Sequence, residues 1–392
     1  MIKYQLPDNW IKYNPLALVD ELTDAKAALF SLTTIPYLKM WTDKLQHIQL
    51  KREVAGTSRI EGADFTENEL EMALRESPEE LLTRSQRQAH AAVQTYRWIA
   101  TLQDDYPIDA DLIREVHRKI VTGADDDHCE PGHIRQRDQN VSFGLPPRRG
   151  AEGGEECELA FAGLSGALQR EFKGPDLLIQ ALALHYHFGA MHPFLDGNGR
   201  TARALEALVL QRAGLRDALF IAMSNYYYDE KTAYLRALSE VRANAHDLTA
   251  FLKFGLKGIA LQCKRLFGEI RSNVAKALFR NMMYDLFNRL ESPRKRVIAK
   301  RQIEILNVLL ENDEMLWPDL HKRTLGLYKS LSDPSKALFR DLGSLLALGA
   351  IRWHKDPPRF SINLDWPTQI TETDFFEIIK RLAKAKPLSF GF

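Results

Sequence analysis

The sequence has few cysteines, no long apolar run and no pronounced excess of either charge. Its three cysteines lie far apart and form no CxxC pair, which argues against a disulfide framework or a thiolate zinc site and fits a reducing compartment. The opening residues lack the basic and then apolar pattern of a signal peptide, and no stretch reaches about eighteen apolar residues. These absences predict a soluble cytoplasmic protein without a membrane partner.

Charge and length restrict the interpretation further. The 53 Lys and Arg residues nearly balance the 52 Asp and Glu residues, so the net charge of +1 does not predict a chain that binds nucleic acid over its whole surface. A chain of 392 residues is too long for one small core, which predicts two or three domains.

Helical periodicity is found along most of the chain. Apolar residues recur at three- and four-residue spacing over four long stretches, 16–50, 85–102, 109–121 and most of 159–290. Asp109 stands at the N-cap position of the third stretch. Strand-like alternation is scarce, and one short example, 140–143, lies in an interval rich in Gly, Pro, Asp and Arg. We therefore predict a mainly all-α fold.

The region after residue 296 has a different pattern. Pro293 and the basic residues beside it interrupt the helical periodicity, which predicts a domain boundary at about 292–296. Three short helices are predicted after it, followed by two short strands around Pro357 and Pro358. Helix, helix, helix and hairpin is the order of a winged helix-turn-helix. Because basic residues only modestly outnumber acidic ones there, DNA binding and a protein-contacting, target-selecting role both stay open.

The segment 192–203, HPFLDGNGRTAR, combines groups that suit phosphate chemistry. Gly197 and Gly199 allow backbone N–H groups to converge on an anion at the start of the helical run that follows. Arg200 and Arg203 lie three residues apart, so both side chains project from one face of that helix. Two guanidinium groups beside such a loop suit a di- or triphosphate.

Two further side chains of the segment supply a metal ligand and a base. Asp196 can give one oxygen ligand to Mg²⁺, with phosphate oxygens and water completing the octahedron. His192 is the group in this loop whose proton affinity suits removal of a hydroxyl proton near neutral pH. The whole set describes attack of a hydroxyl group on a phosphate, stabilised by charge and by position.

This segment resembles the signature of the Fic (filamentation induced by cAMP) family, HxFx(D/E)GNGRxxR, at every defining position. The resemblance implies a compact helical core and the transfer of AMP from ATP to Ser, Thr or Tyr side chains of proteins. It implies that His192 is the general base and that Asp196 holds Mg²⁺. The residues that would bind the nucleotide phosphates and their surroundings are Gly197, Asn198, Gly199, Arg200, Thr201, Ala202 and Arg203.

A second segment, TSRIEG at 57–62, resembles the inhibitory motif of the same family, (S/T)xxxE(G/N). Its position before the catalytic motif is similar to that in the class of members that carries its own inhibitory helix. A pair between Glu61 and Arg203 would compete with the γ-phosphate for one guanidinium group. ATP would then bind in a pose unsuited to attack.

Two more features are read from the resemblance. The interval from Gly132 to Gly144 is similar to the flap hairpin that holds a target segment by strand addition beside the active site. The residues that would clamp the target there are His133, Ile134, Val141 and Phe143. Tyr234 stands where relatives often place an aromatic ring near the adenine.

Together these features predict a protein adenylyltransferase that uses ATP and Mg²⁺, modifies hydroxyl groups of proteins, itself included, and is autoinhibited by Glu61. Two other functions stay open: a DNA-binding regulator whose Fic-like core senses nucleotide, and a hydrolase that removes AMP, with Glu61 orienting water. The resemblance also makes a homodimer an expectation. The predicted segments are an N-terminal helical region at 1–105 with its inhibitory helix at about 50–75, a Fic catalytic core at 106–260 with a β-hairpin flap, a connecting helix at 261–295 and a winged-helix-like domain at 296–392.

Overall fold

The computed structural model describes residues 3–38, 41–75, 80–144 and 146–382. The chain divides into two compact units, Met1–Gly268 and Glu269–Phe392. Helices dominate both units, which confirms the prediction of a mainly all-α fold. The finer division at about residues 105, 260 and 295 stays a prediction. No helix within the described ranges combines the length and the apolar character needed to cross a membrane.

The first unit is built from helices and one short hairpin. In chain order its elements are α1 (Val19–Thr34), α2 (Thr42–Ile60), α3 (Glu67–Arg75), α4 (Arg84–Thr101), α5 (Ala110–Val121), β1 (Ser142–Phe143), β2 (Arg148–Arg149), α6 (Glu155–Gln169), α7 (Leu177–Met191), α8 (Asn198–Arg212), α9 (Met223–Asp229), α10 (Lys231–Ala243) and α11 (Thr249–Asn288), which contains the boundary between the units. Asp109 caps α5 as predicted, since its carboxylate accepts the N–H of Leu112 at 2.9 Å.

Two consecutive helices, α7 and α8, lie at the centre of the first unit. In α7, 12 of the 15 residues are buried, as expected of a helix that is apolar on all sides. In α8, 13 of the 15 residues are buried although many are polar, so its arginines must find partners inside the protein. The loop 192–197 connects these helices, and it is therefore held at both ends by the rigid centre of the unit.

The interval predicted as the inhibitory helix, about 50–75, covers the second half of α2 and all of α3, with a break after Ile60. Glu61 occupies the C-cap position of α2, and Gly62 follows with a φ of 89°. A residue in this left-handed conformation ends a helix, and glycine adopts it without a steric cost. Glu61 is consequently displayed at the end of a helix.

The hairpin β1–β2 is antiparallel, with Phe143 opposite Arg148. It begins near the end of the interval predicted to form the flap, so His133 and Ile134 lie in the loop before it. A single parallel bridge joins Lys3 to Arg149 on the outer side of β2.

The second unit contains the three helices and two strands expected from the sequence, together with a strand and two C-terminal helices that were not predicted. Its elements after α11 are α12 (Pro293–Asn312), β3 (Glu314–Leu316), α13 (Trp317–Thr324), α14 (Pro334–Ala347), β4 (Ile351–His354), β5 (Arg359–Ile362), α15 (Trp366–Gln369) and α16 (Glu372–Leu382). The three strands form an antiparallel sheet in the order β3-β5-β4. The assignment to the winged helix-turn-helix class, and any DNA binding by this unit, stay predictions.

Candidate active site

The loop between α7 and α8 is fixed by its own backbone and by one amide side chain. His192 and Gly197, at its two ends, have φ values of 55° and 72°. The side chain of Asn198 accepts the N–H of Phe194 at 2.9 Å and donates to the carbonyl oxygen of Phe194 at 2.8 Å. Phe194 is fully buried, and its ring stacks on that of His117 at 3.7 Å. Asn198 therefore shapes the loop, and Phe194 anchors it.

The imidazole of His192 is oriented as a base. Its Nδ1 lies 2.9 Å from the carbonyl oxygen of Gly189, and because a carbonyl can only accept, Nδ1 carries the proton. Nε2 of the neutral ring is then left with a lone pair. Phe143 of the hairpin stacks on the ring at 3.8 Å. Burial lowers the pKa of His192 to about 4, so the ring is neutral at pH 7 and able to accept a proton.

Asp196 is held through both its backbone and its carboxylate. His117 accepts the N–H of Gly132 at Nδ1 and donates from Nε2 to the carbonyl oxygen of Asp196, each at about 3 Å. The Asp196 carboxylate accepts the N–H of Gly197 at 2.6 Å and lies 3.2 Å from Nη2 of Arg84. It is also partly exposed, with 38% of its side-chain surface accessible. It can therefore exchange a guanidinium partner for another cation.

Arg200 is paired inside the protein. Its Nη1 donates to the carboxylate of Asp125 at 2.6 Å, and both side chains are almost inaccessible. Asp125 also accepts from Arg84 at 2.7 Å and from Gln88 at 2.8 Å. Burial alone would raise the pKa of Asp125, but Arg200 and the other donors more than offset this and hold the pKa below its ordinary value. Nε of Arg200 is buried without a hydrogen-bond partner among the described residues.

Arg203 is paired with the end of α2. Its Nη2 donates to the carboxylate of Glu61 at 2.5 Å, while its Nε donates to the hydroxyl of Thr57 at 2.8 Å. Burial alone would raise the pKa of Glu61, but the Arg203 guanidinium outweighs it and holds the pKa below its ordinary value. Gly199 leaves room for this pair, since a Cβ at that position would lie 2.2 Å from Oε1 of Glu61.

A cavity of about 330 Å³ opens beside these groups. Seven of the residues predicted from the sequence line it, and they are Glu61, Phe143, His192, Gly199, Ala202, Arg203 and Tyr234. Within the described part of the chain, the cavity lining does not include the other predicted residues, which are His133, Ile134, Val141, Asp196, Gly197, Asn198, Arg200 and Thr201. Its size is at the lower end of the range for cavities that bind small molecules.

Tyr234 is held in a buried polar network at one wall of this cavity. Its hydroxyl lies 2.9 Å from Nε2 of His185, whose Nδ1 contacts the carboxylate of Glu206. Tyr227 donates to the same carboxylate at 2.8 Å and stacks on the ring of Tyr234 at 4.7 Å. Because each polar group is satisfied by another, the ring of Tyr234 is fixed in place.

The sequence analysis missed several residues that line the cavity from α10. They occur with Tyr234 at three- and four-residue spacing, and they are Lys231, Leu235, Leu238, Ser239 and Arg242. This spacing is the signal that could have found them, because such residues share one face of a helix. The hairpin adds a further arginine, Arg148, to Arg203 and Arg242.

No group of three or more His, Cys, Asp or Glu side chains that could hold a metal ion occurs among the described residues. One carboxylate is nevertheless enough for Mg²⁺ when phosphate oxygens supply further ligands. The partly exposed carboxylate of Asp196, in the loop just before α8, fits that mode of binding.

Comparison with known proteins agrees with this geometry. The family model described as Fic/DOC family matches residues 107–210, which run from α5 to the end of α8. Protein adenylyltransferase Fic of Nematostella vectensis is 33% identical over 156 residues, covering 39% of this chain and 33% of that protein. The Culex quinquefasciatus protein of the same name is 30% identical over 155 residues, covering 39% and 27%. The chain thus spans about a third or less of these relatives' length.

Solved structures show the same fold. A Fic family protein from Desulfovibrio desulfuricans G20 superposes with a TM-score of 0.57 at 19% identity, covering 92% of this chain and 98% of that one. Fic-1 of C. elegans (residues 134–508) superposes with a TM-score of 0.53 at 21% identity, covering 66% and 75%. The helical core and the loop at its centre are those of a Fic domain. Residues 107–210 are therefore a domain of the Fic/DOC family.

Proposed function

We propose that this chain is a protein adenylyltransferase that transfers AMP from ATP to hydroxyl side chains of proteins in a reducing, cytoplasmic setting. The observation that carries the proposal is one cavity lined by the imidazole of His192 and by the guanidinium of Arg203. The names of the relatives support the same activity.

The reaction follows from these groups. Nε2 of His192 takes the proton of the target hydroxyl as its oxygen bonds to the α-phosphorus of ATP. The bond from that phosphorus to the bridging oxygen of the β-phosphate breaks, and pyrophosphate leaves. Arg203 and the N–H groups at the start of α8 stabilise the phosphate charge, while Arg200 supports the loop through its buried pair with Asp125. Asp196 would hold Mg²⁺, which neutralises phosphate charge when it is bound.

In this proposal the chain is inhibited by its own α2. Glu61 already occupies Nη2 of Arg203 at 2.5 Å, so a γ-phosphate must displace a carboxylate to reach the guanidinium. Like charges at this distance repel, and nucleotide would bind weakly or in an unproductive pose while the pair persists.

The test is labelling with α-³²P-ATP and Mg²⁺ in a lysate and with purified protein alone. We expect weak labelling by the wild type and much stronger labelling by Glu61→Gly. The matched control is Glu61→Gly combined with His192→Ala, which removes the base and should reduce labelling by about 10²–10⁴-fold. A Glu61→Gly protein as silent as this control would refute the proposal.

The reverse reaction, removal of AMP from modified proteins, is a second candidate. It is favoured by one observation, that the Glu61 carboxylate lines the same cavity as His192. Glu61 would then orient the attacking water. The two directions are separated by Glu61→Gly, which increases labelling in the first case and abolishes release of AMP in the second.

A further inference from the structure

The body of α2 is held in the core of the first unit by buried hydrogen bonds. Glu53, Thr57 and Glu61 follow one another at four-residue spacing and share one face of the helix. The buried carboxylate of Glu53 accepts the hydroxyl of Tyr96 at 2.7 Å and the N–H of Ser224 at 2.8 Å. Thr57, one turn later, accepts from Arg203. The body of α2 is therefore held by contacts that water does not reach.

Close backbone packing also holds the same part of α2 against α9. A Cβ at Gly56 would lie 2.4 Å from the backbone carbonyl carbon of Ser224, so glycine allows α2 and the start of α9 to touch. Displacing the whole helix would open this contact and expose Glu53. Release of Glu61 must therefore occur in the last turn of α2, which ends at Ile60.

That last turn is contacted by a lysine of another helix. Nζ of Lys231, the first residue of α10, donates to the carbonyl oxygen of Ile60 at 2.9 Å. The last carbonyl groups of a helix lack partners within it and carry partial negative charge, so a cation there stabilises the turn. The bond fixes the residue immediately before Glu61 and so restricts where the Glu61 side chain can point.

The same lysine lines the cavity. Lys231, Glu61 and Arg203 all belong to the cavity wall, and Tyr234 lies one helical turn after Lys231 on the same face of α10. An ammonium group has three N–H donors, and the bond to Ile60 uses one. A polyphosphate that enters the cavity brings several negative charges towards this ammonium group.

We propose that Lys231 is a positioning residue that holds the last turn of α2, so that Glu61 faces Arg203, and that an anionic nucleotide loosens this turn by competing for the ammonium group. The proposal rests on the nucleotide binding and inhibition proposed above. It makes Lys231 the point at which the ligand and the inhibitory turn compete, alongside their competition for Arg203.

The test is a thermodynamic cycle with Lys231→Met in two backgrounds, the wild type and Glu61→Gly. The probe is adenosine 5′-(β,γ-imido)triphosphate with Mg²⁺, and its dissociation constant is measured by calorimetry. In the wild-type background we expect Lys231→Met to tighten binding about two- to fivefold, the equivalent of one helix-terminal charge. In Glu61→Gly it should leave binding unchanged or weaker. Lys231→Arg, which keeps the cation, should behave as the wild type.

Two controls distinguish the proposed role of Lys231, which is to hold the last turn of α2, from a general disturbance of the fold. Arg236→Met removes an exposed cation of α10 that does not line the cavity, and it should leave the dissociation constant unchanged. Hydrogen exchange of residues 58–63 should accelerate in Lys231→Met, while exchange at Glu53 and its neighbours stays slow.

The outcomes distinguish the two proposals. If Lys231→Met changes the affinity equally in both backgrounds, or weakens binding in the wild-type background, then Lys231 contacts only the ligand. Either result contradicts the proposal that Lys231 holds the last turn of α2. No acceleration of exchange at 58–63 also overturns it. Failure of the proposed function looks different, because the probe would then not bind Glu61→Gly at all, or would bind it no better than the wild type.

Discussion

Arg200 and Arg203, three residues apart on α8, differ in how accessible their carboxylate partners are to solvent. Both are almost fully buried and both are paired with a carboxylate. The nearer carboxylate partner of Arg200 is Asp125 at 2.6 Å, whose side chain is inaccessible, with Asp196 farther away at 3.4 Å. The carboxylate partner of Arg203 is Glu61, whose side chain is 38% accessible at the end of a helix. A buried partner cannot leave without opening the core, but a partner at a helix end can. The first pair therefore belongs to the architecture of the loop, and the second can be exchanged for a ligand.

The largest effect should come from breaking the buried pair. Asp125→Asn removes the buried carboxylate that Arg200 and Arg84 share and leaves them only the partly exposed carboxylate of Asp196, which lies 3.4 Å from Arg200 and 3.2 Å from Arg84. Loss of one partner from a buried pair lowers the free energy of unfolding by about 3–5 kcal/mol. The matched change Glu61→Gln should lower it by about 1 kcal/mol or less, because a partly exposed pair is screened by water. Denaturant unfolding measures both. Equal losses would erase the distinction between the two pairs.

A smaller effect is expected from Arg84, which touches Asp125 from the more exposed side. Arg84→Leu should lower the free energy of unfolding by about 1 kcal/mol, since 45% of its side chain is accessible and Arg200 remains on Asp125. It should not change the factor by which Glu61→Gly tightens nucleotide binding. Arg87→Leu on the same helix is the control. A change in that factor would show that the two pairs are coupled.

The smallest effect concerns pH. Because the pKa of Glu61 lies below its ordinary value of 4.5, its pairing with Arg203 is fully present above that value and is lost only as the pH falls through the lowered pKa. The ratio of nucleotide dissociation constants between wild type and Glu61→Gln should therefore vary less than about twofold from pH 6 to pH 8. Calorimetric titrations at several pH values test this. A ratio that shrinks steadily towards pH 6 would place a different titrating group in the inhibitory contact.

The sequence could predict what lies within short segments, and much less of what lies between them. The loop at 192–203 was predicted because its glycines, arginines and histidine are consecutive, and the all-α fold follows from periodicity that spans whole helices. Asp125 was not predicted, because it precedes Arg200 by 75 residues and nothing in its local sequence marks a buried carboxylate. Lys231 was missed for the same reason, since its partner is a backbone carbonyl of a distant helix.

The function of Asn198 shows a related limit. A motif position next to two glycines suggests direct contact with phosphate, yet both polar atoms of its amide are used on the backbone of Phe194. Sequence patterns mark that a residue type is needed at a position. They do not tell whether the residue meets the ligand or shapes the loop that does.

The two hydrogen bonds between the side chain of Asn198 and the backbone of Phe194 have a thermodynamic consequence. A loop that has already lost its conformational freedom when the protein folds has little left to lose when a ligand arrives. The conformational entropy of residues 192–198 is thus lost when the protein folds. In the proposed function, the free energy of nucleotide binding depends on the phosphate contacts and on the displacement of one carboxylate. The proposed function then predicts that the affinity for nucleotide depends on the mobility of Glu61 rather than on that of the loop.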